Sequence, residues 1–357
     1  IEKDFKSKLS PDDILNVFTA LEPIYMDMYE IYGYAALTMS ADQNNKDAKE
    51  LMSRVQNALS TISSKLVFID LELGILLKSK PELIQKPEFS QYKHYLEKVL
   101  RKVPYQLSES EEQLIIEKNL YGIVEWSKLK SQRLATQKFK LNIDGEEKEV
   151  SWSTGYKYFS SQNHNHRLEA VKKILGGLGE DKEFYGTALR ALCGNYVLEA
   201  KRRKYSILES SCIANDIEED MVSNMFSAIE KNLGMFQEFL RYKAKLYGTE
   251  KLRGEDLDGP YPIQTGDESV SWDEAKDMVF ESFNSFDSEI GSFIKDMYDK
   301  NRIDSLQKPA KVSGAFCMSW SKGKSAFVLQ SFNNNIDSVS TLAHELGHGI
   351  HAYLATR

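Results

Sequence analysis

Three of the chain's six histidines fall within eight positions, His344, His348 and His351, in the stretch TLAHELGHGIHAYLATR (Thr341 to Arg357). On a helix, residues i and i+4 lie on one face a turn apart, so His344 and His348 can grip a single metal ion. Two neutral imidazoles suit zinc, which in catalytic sites takes three protein ligands and keeps one position for water. Glu345, directly after the first histidine, can reach that water from the helix face. It would act as general base and then hand the proton to a departing amine, while the metal polarises the carbonyl under attack. The chemistry expected of HELGH is therefore cleavage of a peptide bond.

The spacing also says what is missing. A self-contained HExxHxxGxxH site needs Gly at 351 and His at 354, and the chain has His351 and Leu354 there. The third ligand must come from elsewhere, and the nine residues after His348 leave no room for a further helix. The expectation is two of three ligands plus the base, completed by a missing C-terminal part or a separate fragment of the same protein. Arg357 is what a trypsin-like cut would leave. Gly347 in mid-helix costs about 1 kcal/mol relative to Ala, a cost that close approach of another element or a substrate would justify. His351 lies on the zinc-side face, where it either supports the site or packs against a core or partner.

These residues need a scaffold, and the pattern is mainly helical. Ser10-Pro11-Asp12-Asp13 starts a helix that is expected to bend at Pro23. Leu51, Val55, Leu59, Ile62, Leu66, Ile69 and Leu73 form one long stripe, as in a hairpin of long helical arms. Beyond Pro87 a helix turns Phe89, Tyr92, Leu96 and Val99 inward. Ser108 to Glu111 and Ser271 to Glu274 read as capping boxes. Phe139–Ile143 and Lys148–Trp152 make a hairpin around Asp144-Gly145. Gly254 to Ser269 is the expected linker. Two strands, Ser313–Trp320 and Ala326–Phe332, lead into the helix of the motif, with Asp337 expected as its cap.

Composition narrows the class. With 41% hydrophobic and 28% charged residues the chain is globular, and 357 residues call for two or three subdomains. A net charge of −7 argues against nucleic acid as a partner. No apolar run approaches a membrane span, and the start lacks a signal-peptide core. Cys193, Cys212 and Cys317 show no CxxC, which suits a reducing compartment, the cytoplasm.

HELGHGIHAYL, with the preceding SGAFCMSWSKGKSAFVLQSFNNNIDSVSTLA, resembles the M3 family of zinc oligopeptidases, in its oligoendopeptidase F branch. VLRKVPYQLSESEEQLI, EAKRRKYSILESSCIANDI and FLRYKAKLYGTEKLRGEDLDGPYP extend the likeness over nearly the whole chain. The resemblance implies a mainly α, two-lobed helical shell around a deep channel, with small β-hairpins, one lining the cleft. It implies one Zn2+ held by His344 and His348, Glu345 as catalytic acid/base, and short peptides as substrates. It further implies that Gly314, Ala315, Phe316 and Cys317 line the cleft, where a strand edge could take a peptide backbone. The family's downstream Glu ligand and oxyanion-steadying groups have no counterpart here. The segments then read as 1–100, a long helical hairpin; 101–165, helices plus hairpin; and 166–357, the first part of a peptidase catalytic domain. The competing class is a non-catalytic helical peptide-binding module derived from a peptidase.

Five weaker signals stand aside. Lys201-Arg202-Arg203-Lys204 reads as a solvated helix face, Leu175-Gly176-Gly177-Leu178-Gly179 as a helix end, and His164 and His166 as solvated loop residues. Cys317 reads as steric lining rather than a nucleophile, and His94 as surface.

Overall fold

The computed structural model describes residues 10–261, 269–308, 310–320 and 326–355. They are mainly helical, with one two-stranded and one three-stranded sheet. The chain divides into two compact units, Ile1–Met28 with Arg54–Leu129 and Phe184–Glu238, and Tyr29–Ser53 with Lys130–Glu183 and Phe239–Arg357.

The first unit draws on helices α1 (Pro11–Ala41) and α2 (Lys46–Ser79), followed by α3 (Lys93–Lys102) and α4 (Glu109–Asn119). Helix α1 carries Pro23 in its interior and does not end there. Ile14 and Phe18 from α1, Leu73 and Leu77 from α2, and Phe89, Leu96 and Val99 make its main core; of the expected stripes Leu73, Phe89, Leu96 and Val99 are in it. Ser108 and Glu111 close a reciprocal capping box on α4. After α5 (Glu125–Thr136), the unit resumes in α6 (Lys182–Arg203), where the basic run is not simply a solvated face. Arg203 turns inward and forks onto Glu112 with bonds of 2.6 and 2.7 Å, while Lys201, Arg202 and Lys204 stay exposed, Arg202 on Glu111. A planar guanidinium can satisfy both carboxylate oxygens at once, which is what lets the pair sink below the surface.

The second unit holds both sheets. Strands β1 (Lys138–Ile143) and β2 (Glu146–Ser151) pair antiparallel around Asp144 and Gly145, both at positive φ as a tight hairpin turn requires. Phe139, Leu141 and Ile143 alternate inward. The stretch expected to end a helix does so: Gly176–Glu180 is its last turn and Asp181 its cap. A Cβ on Gly177 would lie 3.0 Å from the Phe139 ring, so that glycine lets the turn press on β1. The expected linker is also tied down at its start, where Gly254–Asp256 forms a helical turn and Asp256 is buried; its residues 262–268 lie outside the described ones.

Helices α7 (Trp272–Phe286) and α8 (Ser288–Asp299) precede the sheet that carries the site. Ser271 and Glu274 form the second expected capping box. The sheet has the order β3 (Ile303–Asp304), β5 (Ala326–Gln330), β4 (Ala315–Ser319), parallel on the β3 side and antiparallel on the β4 side. Helix α9 (Ile336–Ala355) packs on it through Val339, Leu342, Leu346 and Ile350 against Ala326, Val328 and Phe293. Its cap is not Asp337, which sits inside the first turn. Asn335 accepts from the Ser338 amide at 3.0 Å, two positions earlier than the acidic residue suggested.

Candidate metal centre

Burial divides α9 into two faces. Leu342, Glu345, Leu346, Gly349 and Ile350 are buried, while His344, His348 and His351 are exposed along one stripe. The core spacing 339, 342, 346, 350 fixes the helix rotation and thereby aims the histidines outward. The His344 and His348 Nε2 atoms lie 3.1 Å apart, with their rings edge to face. Two ligands at zinc's usual nitrogen distance and a tetrahedral angle stand about 3.3 Å apart, so the pair fits the metal closely. Among the described residues no third His, Cys, Asp or Glu joins them within reach of one ion. His351 shares their face without converging on them.

Glu345 sits on the other side of the pair, only 7% exposed. Its charge reaches Cys317 on β4, whose thiol is pushed up to about 11, first by burial and then by that carboxylate. Glu345 thus lies beside β4, the strand expected to take a peptide.

The backbone of β4 can be oriented from its neighbours. The Val328 amide donates to the Arg302 carbonyl and the Phe332 amide to Ser305, both towards the β3 side. Polar groups alternate sides along a strand, so Phe327 and Leu329 face β4. Their partners Met318 and Phe316 are then bonded to β5, and Ala315, Cys317 and Ser319 point their amides and carbonyls away from it. Of the four expected lining residues, Ala315 and Cys317 offer backbone to the open edge. Phe316 does not, and Gly314 precedes the strand at φ +86°.

His164 and His166 are not the solvated loop residues expected: both lie in the helix His164–Ala170, His164 bonded to Asp256 and His166 to Asp144. His164, Glu255 and Asp256 have ligand atoms within 4.8 Å of one another. The buried Arg167 already fills the place of a cation there, with Nη2 at 2.5 Å and Nε at 3.2 Å from Asp256 Oδ1. His164 Nδ1 meets the same oxygen at 2.9 Å. Burial raises the Asp256 carboxyl pKa, but hydrogen bonds from Arg167 and His164 outweigh it and hold the group below its ordinary value. The arrangement is an ion pair that pins the 254–256 turn, not a metal site. Nothing local in NHNHR or GEDLDG announces it, because the partners are 89 residues apart.

A helical scaffold with an HExxH helix laid against a short mixed sheet is the setting of a metallopeptidase catalytic domain. The family model "Peptidase family M3" matches residues 216–357, and that for the N-terminal part of oligopeptidase F matches 81–139. The chain belongs to peptidase family M3, in its oligoendopeptidase F branch. Oligopeptidase PepF of Bacillus subtilis (strain 168) is 24% identical over 98% of this chain and 53% of its own length. Group B oligopeptidase PepB of Streptococcus agalactiae serotype III (strain NEM316) is 23% identical over 90% and 54%. The crystal structure of oligoendopeptidase F from Enterococcus faecium superimposes with a TM-score of 0.66 at 20% identity, covering 84% of this chain and 58% of that one. The chain spans about half the length of the curated relatives it matches.

Proposed function

We propose that the chain supplies two zinc ligands and the general base of an endopeptidase that hydrolyses internal bonds of short peptides. The observation that carries this reading is the outward His344–His348 pair with Glu345 turned towards Cys317 of the edge strand. His344 and His348 hold Zn2+ through Nε2. Zinc, when bound, supplies Lewis acidity to the scissile carbonyl and to the attacking water. Glu345 takes one proton from that water and returns it to the departing amine nitrogen, so one water is consumed and one acid and one amine are formed. Ala315 and Cys317 hold the peptide by its backbone, which tolerates many side chains. The third ligand is a Glu from outside the described residues, and the described residues alone hydrolyse nothing. No described helix is long and apolar enough to cross a membrane, and the three free cysteines fit work in a reducing cytoplasm.

The lack of a third ligand among the described residues also supports a second reading, a module that holds peptides without cutting them. A quenched fluorescent peptide, given to the chain completed by its C-terminal part, separates the two. Cleavage is expected to stop with a chelator and to fall about 10²–10⁴-fold in Glu345→Gln. Cleavage that survives either treatment overturns the zinc mechanism, and binding without any cleavage favours the module.

A further inference from the structure

We propose that Tyr29 is a specificity-determining residue: its hydroxyl ends the peptide-pairing edge of β4 and limits it to two backbone rungs, Ala315 and Cys317. This rests on the edge-strand reading above but makes a separate claim about where pairing stops.

The edge would naturally offer three outward residues, Ala315, Cys317 and Ser319, spaced two apart. Tyr29 of α1 takes the third. Its hydroxyl donates to the Ser319 carbonyl at 2.8 Å and lies 3.1 Å from Ser319 Oγ. A peptide residue opposite Ser319 would need that same carbonyl for its own amide. It would also have to displace the tyrosine hydroxyl from it. The other end is closed by the same helix, because the Val312 amide donates to the Ser40 carbonyl at 2.9 Å, and Gly314 then turns the chain at φ +86°. Helix α1 can stay this close because Gly33 leaves room for Trp320 and Met318, whose side-chain atoms would lie 2.6 and 3.3 Å from a Cβ. The stretch from Tyr29 to Ser40 thus brackets the edge at both ends, and among the described residues two rungs remain between.

A peptide so held pairs through two residues at spacing two, and additional residues on the Ser319 side add no backbone bonds. The prediction is a count. A set of fluorescein-labelled hexapeptides, N-methylated at each amide in turn, is bound to the chain and read by fluorescence polarisation. N-methylation removes one donor, so affinity should fall about fivefold at each amide that pairs with the protein and stay unchanged elsewhere. The unaltered chain should show two sensitive amides, two residues apart, opposite Ala315 and Cys317. Tyr29→Phe, which removes only the hydroxyl, should show a third at the same spacing. Ser319→Ala, which keeps the carbonyl and its bond from Tyr29, should still show two. Three sensitive amides in the unaltered chain, or two in Tyr29→Phe, overturn the proposal while leaving edge pairing intact. If no amide is sensitive in any form, the edge-strand reading itself fails and this proposal with it.

Discussion

Gly347 offers a direct test of the half-site reasoning. It lies inside α9 between Leu346 and His348, and a Cβ built there meets no atom within 4 Å. In this chain Gly347→Ala should therefore carry no steric penalty. It should gain the full difference in helix propensity and unfolded-state freedom, about 1 kcal/mol. For a cooperative unit of this size, that raises the unfolding midpoint by about 2–4 °C. The His344–His348 Nε2 spacing depends on the helix backbone, which Ala preserves, so zinc affinity of the pair should not change. In a preparation that cleaves the quenched peptide, the same methyl should meet whatever approaches the exposed side of α9. Cleavage of the quenched peptide should then drop at least tenfold, as small misplacements in an active site do. Gly349→Ala is the control: its Cβ would lie 3.5 Å from Ala326 Cβ and the Phe293 ring, on the core side, and activity should persist. A Gly347→Ala chain that is not stabilised refutes the open-space argument. A stabilised variant with full activity when completed refutes the idea that another element or substrate needs this glycine.

Two further outcomes follow from charge and burial. Asp256→Asn should destabilise by about 3–5 kcal/mol in urea, because it leaves Arg167 buried without its counter-charge; Arg167→Met with Asp256→Leu should lose much less than the sum of the single changes. Because the folded Asp256 pKa lies below its unfolded value near 3.9, its contribution is full above about pH 4 and fades as pH falls through the folded value, so Asp256→Asn should lack that part of the acid limb. Cys317, with its thiol pushed up to about 11, should alkylate with iodoacetamide at pH 8 far more slowly than the exposed Cys193, read by peptide mass mapping; equal rates would contradict the burial and the Glu345 charge beside it.

What the sequence disclosed was the part of the structure that is decided locally. The capping boxes of Ser108 and Ser271 each satisfy amides three residues away, and Asp144-Gly145 carries its turn preference within itself. The His344–His348 pair is equally local, since one helical turn sets its spacing. Where the reading missed, a distant partner had decided the matter. Arg203 is drawn in by Glu112, 91 residues away. Asn335 displaced Asp337 as the cap because two good candidates stood two positions apart, and only the packed helix start chose between them. The two-residue strand β3 left no periodicity to find, yet its pairing with β5 decides which β4 residues face outward.

The two units also have an order of appearance during synthesis. All five crossings from one unit to the other, after Met28, Ser53, Leu129, Glu183 and Glu238, fall inside helices rather than in loops. Neither unit is a continuous piece of chain, so neither can finish folding on the ribosome before part of the other has emerged. The first unit must wait for Glu238, and the second begins with Tyr29 but acquires β4, the strand that Tyr29 serves, 290 residues later. Until then α1 presents Tyr29 and Gly33 without the strand they meet in the folded protein, so a cut at any of the five crossings divides a helix.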